Sequence, residues 1–384
     1  MTEAANPGAA GLNVDPTSLG SAGSLGRQVA VGIIAVLLGL LVGAILIIIS
    51  GLLGPEHVFD LTLPIQAYGA MLEGALGGPK QIANTLNSAT PLIFTGLSVA
   101  FGFRAGLFNI GANGQFLVGA FCAALFGTIA GIPFPIAMLL SMAVGALGGA
   151  AWGFIPGALK AWRGAHEVVT TIMLNYVAYL LLNLLASQVF ADPTASFPRT
   201  PDVKPEAMLP IILPDTRLHA GIIVALLTAV AVWFVLFKTT IGFEIRTVGA
   251  NASAARYAGI RPAIIIALTM SIAGGLAGLG GSVEILGVTK NYPAEYIVAF
   301  GFDGIAVALL GRAHPAGVVG SALLFGVMRA GAGPMQRATG IPVDIILIVQ
   351  AMILLFVAAQ VIIERLLPKA KARRPGGQPA AAAA

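Results

Sequence analysis

The sequence predicts an all-α, polytopic membrane protein of about ten transmembrane helices, some discontinuous around a central pathway. Three observations carry that prediction. Only 10% of its 384 residues are charged, against 57% hydrophobic, and the mean hydropathy is +0.92. A soluble domain carries roughly a quarter charged residues. The charges sit in short clusters between long uncharged runs, as in membrane loops. Glycine reaches 49 residues with no collagen-like period, which suits closely packed membrane helices.

The elements follow in order. Residues 1–26 are rich in Gly, Ala, Ser and Asn and read as a disordered tail. Residues 28–55 carry no charge and exceed the roughly 20 residues a bilayer requires. A cleaved leader would begin nearer the terminus with a shorter apolar core, so this run reads as an anchor. A second span covers 81–103. Residues 105–159 are too long for one helix and break at Gly131-Ile132-Pro133, giving two. Further spans cover 168–191, 218–237 and 262–283, then 296–310, 315–330 and 341–363. The count falls to eight if the shortest segments do not cross. The membrane domain thus runs 27–367, and 368–384 is a basic, Ala-rich tail.

The segment 56–80 mixes apolar and charged positions and is expected along the membrane surface. Residues 192–217 hold six prolines and read as an extended outer loop. Counting Lys and Arg by side places 14 of the 21 with the N-terminus. That bias predicts both termini in the cytoplasm.

Composition also excludes functions. The net charge of +5 is scattered over loops, so nucleic acid is not an expected partner. Cys122 is the single cysteine, and no HExxH or spaced His/Cys set suggests a metal or other cofactor. No lysine follows a glycine, so the end of a phosphate-binding loop cannot occur. Neither GxSxG nor another catalytic constellation is present, and the four histidines fall in or beside loops. The chain is not expected to be an enzyme.

Polar residues within the apolar runs are the candidate sites. Phe108-Asn109-Ile110-Gly111-Ala112-Asn113-Gly114-Gln115 sets three amides and two glycines within eight residues. Single amides can glue helices, at roughly 0.6 kcal/mol each. Clustered beside glycines, they suggest instead a broken helix lining a polar cavity. Asp303, in Gly301-Phe302-Asp303-Gly304, would cost about 2.5–3.5 kcal/mol to insert alone, so it either faces the pathway or caps a helix start. Asn175, Tyr179 and Asn183 share a helix face that either packs or lines the pathway. The inner loop 238–261 holds Glu244, Arg246, Asn251, Arg256 and Tyr257. Asn251 opens a stretch of helix formers there, a candidate dock for a cytoplasmic partner, or a loop held by anionic membrane lipid.

The runs ATPLIFTGLSVAFGFRAGLFNIGANGQF, EVVTTIMLNYVA, GFEIRTVGANASAARYAGI and GFDGIAVALLGRAHPAG resemble the permeases of ABC importers in the branched-chain amino acid, ribose and nucleoside superfamily. The likeness extends over residues 81–365 and is greatest to the nucleoside branch, which carries a similar RAGLFNIG…GQ segment. Ribose-type permeases have a GIDLSVGS-like run at FNIGANGQ, which points to a nucleoside rather than a free sugar; a sugar or branched-chain amino acid is the alternative cargo. The resemblance implies a second permease chain, cytoplasmic ABC ATPase subunits and an extracytoplasmic substrate-binding protein in a bacterial cell membrane. It also implies that 242–261 is the segment gripped by the ATPase. An ion-coupled secondary transporter would call for paired intramembrane carboxylates or broken helices in symmetric halves, whereas the acids read here as isolated.

Overall fold

The computed structural model of the protein describes residues 22–53 and 59–359; the expected C-terminal tail, 368–384, and residues 1–21 of the expected N-terminal tail lie outside them, whereas 22–26, also expected in that tail, open the first helix. In lipid every backbone polar group must bond within the protein, so the uncharged runs fold as helices. Among the described residues these are α1 (Ala22–Leu53), α2 (Leu63–Leu76), α3 (Pro79–Arg104), α4 (Ala112–Gly127), α5 (Ile136–Arg163), α6 (Glu167–Leu184) and α7 (Gly221–Lys238). Then come α8 (Thr240–Ala250), α9 (Ala252–Tyr257), α10 (Pro262–Glu284), α11 (Phe300–Leu310), α12 (Pro315–Thr339) and α13 (Asp344–Ala358). A π turn extends α6 over Leu185–Val189 and another extends α10 over Ile285–Thr289.

Among the described residues seven helices are long and apolar enough to cross a bilayer, and α4, α11 and α13 are shorter apolar helices. Together they account for the ten apolar segments. At 1.5 Å per residue, the 11 residues of α11 rise about 16 Å, roughly half the hydrocarbon core. α11 is therefore a half-helix, not a span.

The centre of the fold is α3, whose apolar stretch is 78% buried against 22% for α1. One apolar core surrounds α3, α4, α10 and α12; a second joins α1, α2, the C-terminal half of α12 and α13. Glycine allows the tightest contact. α5 and α10 cross with Gly149 facing Gly278 and Gly274, and a Cβ on Gly278 would stand 2.9 Å from the Gly149 Cα. Backbones this close gain dispersion contacts that larger residues would forbid.

Three expectations change. The 56–80 segment gives α2, and its buried face of Pro64, Ala67, Met71 and Ala75 covers protein, meeting α12 at Gly331 and Pro334. The span expected over 315–330 continues to Thr339, carrying Arg329 and Arg337 inside the helix. The span expected over 296–310 begins only at Phe300.

The proline-rich 192–217 loop is extended as expected, but it is strapped down. Thr200 N donates to Tyr292 O (3.0 Å), Val203 N to Lys290 O (2.8 Å) and Lys204 N to Gly127 O (2.8 Å). It thereby closes over the ends of α4 and α10 and buries Tyr292. At its end, burial pushes His219 down to about 4, so the ring is neutral near pH 7 and its Nδ1 accepts from Gly221 N.

Candidate functional site

After Arg104 the chain turns back beside α3. Asn109 Nδ2 reaches Ser98 Oγ at 3.4 Å, and Ser98 lies six residues before the end of α3, about 9 Å along its axis. α4 thus starts inside the helical layer, and its first N–H groups have no intrahelical partner. The amides meet that demand. Asn109, fully buried, exchanges bonds with Gln115 (2.9 and 3.2 Å) and accepts from Gly111 N at 3.1 Å. Asn175, from α6, accepts from Gly114 N at 2.8 Å and donates to Ile110 O at 2.9 Å. Asn113 accepts from Gly301 N at 3.1 Å, joining the start of α4 to the first turn of α11. Asn183 lies apart from this cluster and accepts from Glu295 N at 3.2 Å.

Breaking this network has a defined expected cost. Asn109→Leu strands the Gln115 amide and the Gly111 N–H, and each buried group left unpaired costs about 1–3 kcal/mol. Detergent-solubilised Asn109→Leu should lose thermal stability, while Asn183→Leu, which loses one exposed bond, should match wild type. Equal melting temperatures for Asn109→Leu and wild type would remove the amides' role in holding the turn.

Asp303 lies in the first turn of α11, but Ala299 occupies the N-cap position and the carboxylate caps nothing. It is ion-paired with Arg329 of α12, and Arg329 also stands 4.9 Å over the Phe300 ring. The depth follows from Gly304, packed on Thr95 of α3. Thr95 is nine residues from the end of α3, roughly 14 Å, near the middle of a ~30 Å core. Glu284, at the end of α10, is close enough to Arg329 to feel its charge. Arg329 also forms part of the wall of an open groove of ≈ 620 Å³ between α2, α3 and α12, with Glu73, Lys80, Gln81, Asn84 and Arg337.

At the opposite end of the bundle, α8 and α9 join α7 to α10. Asn251 caps α9, accepting from Ala254 N at 3.0 Å. Arg256 and Tyr257 project outward, Tyr257 being 95% exposed, and Glu244 is half-buried. Arg246 points inward and stacks 5.4 Å over the Phe237 ring.

Residues 81–358, nearly all of the described bundle after α2, match the family described as branched-chain amino acid transport system permease components. The chain belongs to that family. It is a translocation component, not an enzyme. Among relatives, it is 41% identical over 346 residues to the guanosine ABC transporter permease protein NupP of Bacillus subtilis, covering 89% of this chain and 96% of the relative. It is 38% identical over 358 residues to the nucleoside ABC transporter permease protein NupB of Lactococcus lactis, covering 90% and 95%. It is 33% identical over 303 residues to the glucose ABC transporter permease protein TsgB13 of Haloferax volcanii, covering 76% and 80%. No solved structure matches.

Sequence reasoning about this permease missed Arg329, Glu284, Phe300 and Phe237. Arg329 stands in an Arg-Ala-Gly-Ala-Gly-Pro stretch that reads as the end of a span. The signal that could have found it is its charge: an acid on one apolar run calls for a base on another.

Proposed function

We propose that this permease is the channel-forming subunit of an ABC importer for nucleosides, working with cytoplasmic ATPase subunits, a second permease chain and an extracytoplasmic binding protein. Both termini lie in the cytoplasm of a bacterial cell, and α8–α9 is the segment that the ATPase engages. The observation that carries the reading is the Asp303–Arg329 pair at mid-depth on a half-helix. Charged groups kept at that depth mark substrate pathways, and a carboxylate beside a guanidinium offers acceptors and donors to ribose hydroxyls and base edges. Asn113 and Asp303 meet the pathway, while Asn109, Gln115 and Asn175 set its geometry through the turn. The relatives named for guanosine and nucleosides support the cargo.

Reconstituting the complex in vesicles and following radiolabelled uridine tests this. Uptake should require internal ATP and the ATPase chain. Uptake by the permease alone on a proton gradient would overturn the importer. Glucose uptake without uridine uptake would replace the cargo and keep the class.

A further inference from the structure

The inner ends of α3, α7 and α8 meet the α11–α12 turn around a single aromatic ring. Arg104 lies 5.3 Å and Arg246 5.4 Å from the Phe237 ring centroid, and the His314 ring is 5.5 Å away. The ion pairs among the described residues are Lys160–Glu167, Arg199–Asp202 and Arg329–Asp303, so neither guanidinium has a carboxylate. Two like charges are held together here by the negative face of one ring.

Each partner of the ring is tied to a different moving part. Arg246 belongs to α8, which folds back on α7 through Thr239, whose Oγ1 accepts from Gly242 N at 3.2 Å and donates to Val235 O at 2.6 Å. Near its other end, Gly249 lies directly on the backbone of Arg104 and Ala105; a Cβ there would collide with the Arg104 carbonyl and stand 2.9 Å from the Ala105 carbonyl carbon. Arg104 Nε donates to Ala313 O at 2.9 Å. Ala313 and Arg312 are consecutive non-glycine residues in the left-handed region, with φ of 50° and 54°. Such backbone persists only where its surroundings enforce it. The turn they form follows directly on the last residue of α11, whose first turn carries Asp303.

We propose that Arg104, Phe237 and Arg246 form a transmission joint that passes movement of α8 to the strained α11–α12 turn and so to Asp303. The joint rests on the reading that α8–α9 is the segment an ATPase moves. It makes Arg246 a positioning residue within the permease. The physical basis is a continuous set of contacts ending on a turn that is strained and therefore poised to change.

The test uses the assembled complex in vesicles, with three readouts: ATPase co-purification, ATP hydrolysis and uridine moved per ATP. Phe237→Leu keeps an apolar side chain and removes the ring face; Phe237→Tyr keeps the ring. Phe237→Leu should assemble and hydrolyse ATP at near wild-type rates while uridine per ATP falls about tenfold, and Phe237→Tyr should restore it. Wild-type coupling in Phe237→Leu overturns the joint, as does equal loss in the Leu and Tyr variants, which would mark a role of shape alone. Should Phe237→Leu fail to assemble, Arg246→Lys and Arg246→Gln are compared: only Lys keeps a cation over the ring, so better coupling in Lys supports the joint and equal coupling overturns it. A wild-type complex that hydrolyses ATP while moving neither uridine nor glucose overturns the functional reading, and the joint falls with it.

Discussion

Arg329→Gln should be more damaging than Asp303→Asn, and the double variant should be more stable than either. Removing one member of a buried pair leaves a charge without a partner, at a cost of about 3–5 kcal/mol. Both side chains keep roughly a fifth of their surface, 21% for Asp303 and 24% for Arg329, which places the cost at the lower end of that range. The asymmetry comes from Glu284. In Asp303→Asn the guanidinium still has Glu284 within electrostatic reach, whereas Arg329→Gln takes the one cation from both acids. The double variant Asp303→Asn/Arg329→Gln removes the pair without stranding either member, and such replacements are often close to neutral. Thermal unfolding of the four proteins in detergent gives the coupling energy directly. Uridine uptake then separates two roles. If the pair meets the substrate, all three variants lose transport, including the stable double variant. Transport by the double variant would reduce the pair to a staple between α11 and α12 and remove Asp303 from the pathway.

Most of the helical layout is legible in the sequence because lipid leaves the backbone few options. The uncharged runs at 81–103, 218–237 and 262–283 became α3, α7 and α10 with small changes at their ends. The run at 105–159 broke at Gly131-Ile132-Pro133, between α4 and α5. What misled was charge used as punctuation. Arg329 reads as the end of a span because nothing in the linear sequence shows that Asp303, 26 positions earlier, is its ion-pair partner. The amide cluster is legible in the sequence, which leaves its use open between pathway and packing. The geometry adds that Asn109 and Asn175 serve the backbone of a re-entrant turn, with Gln115 holding the Asn109 amide, a demand that arises only once α4 begins beside Ser98. Asn251 was fully readable, since an N-cap is local: the amide and the helix formers behind it stand side by side in the chain.

Tyr257→Ala should weaken binding of the ATPase by about thirtyfold, the equivalent of roughly 2 kcal/mol at a central aromatic contact. Tyr257 ends α9 and is 95% exposed. α9 has six residues, too few to be stable alone, and is fixed by the Asn251 cap and by the buried Ala255. That arrangement presents Tyr257 and Arg256 on one rigid corner, the residue types that dominate protein interfaces. Asn251→Ala should have a smaller effect, since a lost cap costs about 1 kcal/mol and loosens the corner without removing its contact groups. Phe at 257 should bind almost as wild type if the ring is the anchor. The competing reading, a loop held to anionic lipid, makes a different forecast: Tyr257→Ala would be silent, and Arg256→Gln would reduce binding to vesicles rich in anionic phospholipid. Titrating the ATPase against the detergent-solubilised permease measures the first; flotation of a peptide spanning 239–261 with such vesicles measures the second. Unchanged ATPase affinity in Tyr257→Ala together with charge-dependent flotation would give this corner to the membrane and leave the ATPase to another inner surface.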